Sequence, residues 1–191
     1  MLFRSLARNA QQFYVFILAS FGQRETLLAR LVGQVGAQET HRIAAHLKAS
    51  LRLCPSLAGE CFWSGSPHLW GDRPARFELH PMAAAEKAGS APPLASDALR
   101  LDLASRLASG DIRYRLAIQR HVDDRCTPIE DASVDWPHDV SPPVGIATLT
   151  IPAQDILTPE GEAQRRLVEG LAFNPWNAPA PFRPLGSLNR M

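Results

Sequence analysis

Ile112-Arg-Tyr-Arg-Leu-Ala-Ile-Gln-Arg-His-Val122 alternates apolar and polar residues along its length, and Val144–Ile151 is Thr-rich and β-branched. A period of two sends successive side chains to opposite faces of a strand, so runs of this length commit the chain to a sheet. The β-branched content of the second run points the same way. Upstream, Arg76-Phe-Glu-Leu-His80 alternates in the manner of a half-buried strand. It belongs to a pair of strands, Glu60–Gly71 and Arg73–Pro81, around a connection containing Gly and Pro.

The helical period brackets these strands. Residues 5–35 read as helix, with Phe13, Phe16, Ile17, Leu27, Leu28 and Leu31 recurring at helical spacing and Gly33 and Gly36 loosening its end. A second helix from Glu39 to about Leu53 stacks Ile43, Leu47 and Leu51 on one stripe and stops at Pro55. Residues 83–96, rich in Ala, Pro, Ser and Gly, read as a surface loop. Ser96 as N-cap and Gly110 past the end delimit a third helix, and a charged amphipathic helix covers 159–172, ending near Gly170. The tail from Phe173 has too much Pro for helix or sheet interior. The pattern is α+β: one domain, helical over 1–58, with antiparallel barrel or sheet strands over 59–151 and a helix and Pro-rich wrap over 152–191. No internal repeat is visible.

The chain has 191 residues, 46% of them hydrophobic, enough for one real core. With 20 basic and 19 acidic residues the net charge is +1, so nothing points to a nucleic-acid or anionic-membrane partner. Cys54, Cys61 and Cys126 show no C-x-x-C spacing and read as incidental thiols of a reducing cytoplasm, not as disulfides or a zinc site. The basic start and the apolar run Phe13–Phe21 have the length of a secretion signal, which stays open as an alternative. The run is too short for a bilayer, lacks a following Ala-x-Ala and continues in helical character, so an internal buried helix is the preferred reading.

Many chemistries are excluded. There is no G-x-S-x-G elbow, P-loop, G-x-G-x-x-G or H-E-x-x-H. His41 and His46, five apart on a helix, face different ways and into solvent, and no metal site is expected. Asp123, Asp124, Glu130 and Asp131 read as a solvated loop in preference to a cation site, and His68 as a packed or turn histidine in preference to a ligand.

The stretch from His121 to Asn177 is the informative part. Pro128-Ile-Glu-Asp-Ala-Ser-Val-Asp-Trp-Pro-His-Asp139 is a polar loop with a Trp-Pro anchor. Pro142-Pro-Val-Gly leads into a strand, and Leu171-Ala-Phe-Asn-Pro-Trp-Asn-Ala-Pro179 is a rigid aromatic–Pro wrap. Their order resembles the haem catalase superfamily, where a Trp-Pro-His precedes a last barrel strand opening with Pro-Val-Gly and a Phe-x-Pro segment follows. Leu99–Asp111 with the strand through Gln119, the Phe62–Asp72 hairpin and the ending Phe182-Arg-Pro-Leu-Gly-Ser-Leu-Asn-Arg190 are similar to the small, catalase-related branch. The resemblance runs from about residue 59 onward and is weaker over 1–58.

The resemblance implies a catalase-type, partial antiparallel barrel with flanking helices, a haem cofactor and a peroxide substrate, either hydrogen peroxide or an organic hydroperoxide. It places Phe173 and Leu188 on the haem wall, with Phe13 and Ala132 as looser candidates. It supplies no catalytic residue: the family's distal His and Asn and its proximal Arg-x-x-x-Tyr fall outside this chain, and neither Tyr14 nor Tyr114 has an Arg four residues before it. The expectation is therefore a fragment truncated at both ends, inactive as it stands, with room for a homo-oligomer. The alternative is a degenerate, non-enzymatic barrel that binds haem or an apolar ligand weakly, or only a partner chain. A barrel lacking strands would leave sheet edges unpaired and lower solubility.

Overall fold

The computed structural model describes residues 5–21, 24–51, 53–82 and 97–190. The apolar N-terminal segment forms two helices, α1 (Ala10–Ser20) and α2 (Arg24–Val35), in place of the single helix expected over 5–35. Asn9 caps α1 by accepting a hydrogen bond from the Gln12 amide, and Gly36, with φ of +82°, turns the chain into α3 (Ala37–Ser50). α1 packs on α2 and α2 on α3. The expected burial of α1 holds only for Ala10 and Ala19, while Phe13, Tyr14 and Leu18 stay exposed.

The sheet has five strands: β1 (Phe62–Trp63), β2 (His68–Trp70), β3 (Arg73–Pro81), β4 (Ile112–Arg120) and β5 (Val144–Ile151). All pairings are antiparallel, in the order β1-β3-β4-β5, with β2 also against β3. The fold is thus α+β with an antiparallel sheet, as expected, but the sheet is open where a barrel was expected. Closure requires the two terminal strands of a sheet to pair, and among the described residues β5 has a neighbour only in β4. Every β5 residue except Ile151 is exposed.

One sheet face carries the apolar core. Ile112 and Tyr114 of β4 and Leu79 of β3 pack with Leu103 and Leu107 of α4 (Ala98–Ser109) and with Ala58, Ile151 and Ile156. Leu103 and Leu107 are four apart and so share a side of the helix. The N-cap position of α4 is Asp97, without a side-chain cap bond, and the expected cap Ser96 and the 83–96 loop lie outside the described residues. α5 (Pro159–Glu169) starts at Thr158, whose hydroxyl accepts from the Gly161 amide, and buries none of its residues. The Pro-rich tail follows β2 edge-on, with Leu69 N–H donating to Arg183 O and Leu185 N–H to Pro67 O, both at 2.9 Å.

The other sheet face departs from the sequence reading. Alternation along Arg76–His80 suggested polar side chains facing water, yet Arg76 and Glu78 are more deeply buried than Phe77 and Leu79. The covering element is the loop 121–143, which folds across that face. No helix among the described residues is long and apolar enough to cross a membrane.

Candidate functional site

The covering loop is built around Trp136, 1% exposed. Its indole N–H donates to Pro128 O at 3.2 Å, closing the loop on itself. The Arg76 guanidinium lies 4.7 Å above its ring and donates from Nη1 to Val134 O at 2.8 Å. Gln119 of β4 donates from Nε2 to Trp136 O (3.1 Å) and to Ser141 O (2.8 Å). The polar side chains on this face are thus the fasteners of the Trp-Pro loop. Asp123 organises its start by accepting the Arg125 and Cys126 amides, with Thr127 bonding back to Val122 and Asp123. Those amide bonds, from Cys126 first, hold the Asp123 carboxyl below the usual range against the opposing effect of burial.

This loop presents Ala132, 1% exposed, whose amide donates to Arg8 O at 2.9 Å. Next to it Asp131 pairs with Arg8 Nη1 at 2.7 Å, and Arg8 Nε reaches Glu39 of α3 at 3.0 Å. Arg42 joins Glu39 at 2.6 Å and donates to Leu6 O. Burial pushes the Asp131 and Glu39 carboxyls up, but hydrogen bonds from Ser133 and Arg8 for the first, and from Arg42 and Arg8 for the second, outweigh it. Both are held below the carboxylate range, and the Arg8 guanidinium is raised in return, chiefly by Glu39 and Asp131. Asp131, expected to be solvated, is instead the clasp between the loop and the helices.

The C-terminal turn Ser187–Asn189 closes the same junction. Ser187 Oγ donates to Glu130 O at 2.9 Å, Arg190 pairs with the Glu130 carboxylate at 2.5 Å, and α1 packs against the turn. Asn189 donates to Ser66 Oγ (2.6 Å) and Leu185 O (2.9 Å), while Trp176 Nε1 donates to Asn189 O at 3.0 Å. Leu188 therefore lies in a turn wedged between α1 and residues 129–130.

Of the four residues expected on a cofactor wall, Phe13, Ala132 and Leu188 sit on elements that meet. Ala132 is fully packed, Leu188 half-buried and Phe13 39% exposed. Phe173 stands apart: it is 79% exposed, in the segment after α5, and only Trp176 from that segment is tied to the 187–189 turn. Phe13 and Leu188 offer partly exposed apolar surface, Ala132 offers almost none, and none of the four residues is an iron ligand. Tyr114 is buried on the other face of the sheet, where its hydroxyl donates to Leu57 O at 3.0 Å. Burial first, then the charges of Cys61 and Glu60, push its phenol up. Among the described residues no group of three or more His, Cys, Asp or Glu is arranged to hold a metal ion.

The histidines are otherwise engaged or exposed. His68 packs at 5.2 Å on Phe77, where burial pushes its imidazole down against the Ser66 carbonyl contact, and His121 meets Asp124 at 3.2 Å. His41 and His46 are exposed on α3, as expected. Sequence reasoning missed the Arg8–Asp131–Glu39–Arg42 network, because no local pattern announces its link between Arg8 and Asp131, 123 residues apart. It also missed a set on β3 in which Glu78 contacts His80 and His138. Comparison of the chain with protein-family models and with curated proteins finds no match.

Proposed function

We propose that this chain is part of a haem-dependent, catalase-related peroxidase and contributes wall residues to its cofactor site without contributing the catalyst. In this reading the open sheet belongs to a larger catalase-type barrel, haem is the cofactor of the intact protein and hydrogen peroxide or an organic hydroperoxide its substrate. The observation that carries the reading is the junction of α1, residues 129–132 and the 187–189 turn. It joins the elements that carry three residues, far apart in sequence, which the resemblance assigns to one wall. When bound, haem supplies the redox iron at which the peroxide O–O bond is cleaved. Phe13 and Leu188 would exclude water at the wall, Ala132 is packed within the junction, and the Arg8–Asp131 pair and Ser187 hold the elements together.

The test is titration of the purified chain with hemin. The expected result is no tyrosinate-ligated ferric Soret band, because the Tyr114 hydroxyl is given to Leu57. Such a band would overturn the statement that the iron ligand lies outside these residues. Reading the coding DNA on both sides tests the family assignment itself. A His codon upstream with Arg-x-x-x-Tyr after Met191 supports it, and stop codons on both sides favour the second reading.

The second reading is a non-enzymatic relative that takes an apolar ligand. It draws on a groove of about 460 Å³ between α1 and α2, lined by Tyr14, Val15, Leu18 and Ala19 on one helix and by Ala29 and Gly33 with the polar Arg30 and Gln34 on the other. Saturable binding of a fatty acid that Leu18→Asp abolishes would favour it; unsaturable binding counts against it.

A further inference from the structure

On the sheet face opposite the apolar core, Glu78 and His80 are two residues apart on β3 and so project to the same side. Glu78 is 0% exposed. A carboxylate taken fully out of water is tolerated only with strong partners; here Oε2 is hydrogen-bonded by His80 Nε2 at 2.7 Å, while Oε1 lies 3.4 Å from His138 Nε2 without a hydrogen bond. With Nε2 of His80 donating to Glu78, Nδ1 is the ring nitrogen left to accept a proton. Sγ of Cys61 stands 3.7 Å from that nitrogen. The β1–β3 register, Phe62 opposite Leu79 and Trp63 opposite Glu78, continues by one step to set Cys61 across from His80.

A thiol, an imidazole within reach and a carboxylate that fixes the imidazole's tautomer form the arrangement by which proteins activate a sulfur nucleophile. Cys61 is not in a disulfide and is partly exposed, directly before the edge strand β1, which pairs only with β3 among the described residues. Two other cysteines in the same chain, Cys54 and Cys126, serve as internal comparators of similar exposure.

We propose that Cys61 is a hydroperoxide-reactive thiol, with His80 as its base and Glu78 as the positioning residue. The Cys61 proton passes to Nδ1 of His80, and the thiolate attacks the terminal oxygen of a hydroperoxide ROOH. The S–O bond forms as the O–O bond breaks, and the departing alkoxide takes the proton from His80 as ROH. Sulfur is oxidised by two electrons to sulfenic acid, and the peroxide is reduced to the alcohol, or to water when R is hydrogen. The step uses no haem and stands independently of the reading above. Groups around the thiol are Glu60 in its own segment, Glu78 and His80 on β3, Tyr114 and Arg115 on β4, and His138 in the covering loop.

The test treats the whole chain with hydrogen peroxide, traps sulfenic acid with dimedone and reads each cysteine peptide by mass spectrometry. At pH 7 Cys61 is expected to label at least about tenfold faster than Cys54 and Cys126. This comparison needs no variant, and equal or slower labelling of Cys61 overturns the proposal. His80→Gln keeps a donor for Glu78 but removes the base, and should bring Cys61 down to the rate of Cys126. An unchanged Cys61 rate in that variant also overturns it. Glu78→Gln should move the pH dependence of Cys61 labelling to higher pH while leaving that of Cys126 in place. If both profiles are unmoved, Glu78 has no positioning role and the assignment fails.

Discussion

At Gly186 the backbone φ is +80°, and a Cβ built there stands 2.5 Å from the Ile129 carbonyl oxygen. Both the conformation and the close approach demand glycine. Gly186→Ala should therefore lower stability by about 2 kcal/mol, read as a drop in the urea midpoint. The paired carboxyls of Asp131 and Glu39 make a second prediction. Their folded-state values lie below the unfolded ones, so their contribution is complete above the ordinary carboxyl range of about 3.9–4.3. It drains as the pH falls from there through the lowered folded-state values. Wild type and Asp131→Asn should differ in urea midpoint at pH 7 by a gap that narrows as the pH falls below the ordinary carboxyl range, and a constant gap contradicts the linkage. Single residues were legible where a short motif carried them. His68, read as a packed or turn histidine, packs on Phe77. Glu78 was not legible, because alternation announces a strand but not which face another segment will cover.

Among the elements, the Trp136 loop is the clearest case of a sequence motif whose structural role is larger than its local pattern. It buries Arg76, Glu78 and Gln119 and is fastened by three of their hydrogen bonds to its own carbonyls. Trp136→Ala removes a fully packed ring and the cation–π contact, and should cost about 3–5 kcal/mol in chemical denaturation. β5 is the opposite case. Its limits, Val144–Ile151, are those read from the sequence, but Val144, Ile146 and Leu149 are exposed. One of its edges is unpaired among the described residues. An exposed apolar edge recruits other strands. Ile146→Lys should therefore reduce self-association, seen as a lower mean mass by light scattering across a concentration series. The extent of the sheet was not legible: the run Glu60–Gly71 reads as one strand but forms two, β1 and β2, and closure depends on neighbours that no periodicity reveals.

At the scale of the molecule, apolar side chains on α1, β5 and α5 stay uncovered among the described residues. Protection should be uneven as a result. In hydrogen exchange, the amides of β3 and β4, paired on both sides, should be slowest. Those of α5, which buries nothing, should be among the fastest, and uniform exchange across these elements would count against this distribution. The α+β class was legible because two periods, near two and near 3.6, are written locally. The clasp that holds the helices to the sheet was not, because its partners are distant in sequence: Arg8 with Asp131, and Ser66 with Asn189, each 123 residues apart. That separation has a consequence in time. At synthesis rates of about 5–20 residues per second, Arg8 waits roughly 6–25 s for Asp131 to be made. Ser66 waits as long again for Asn189. A chain emerging from the ribosome must therefore hold α1–α3 unclasped until most of the sheet exists, which makes that interval the one a chaperone would guard.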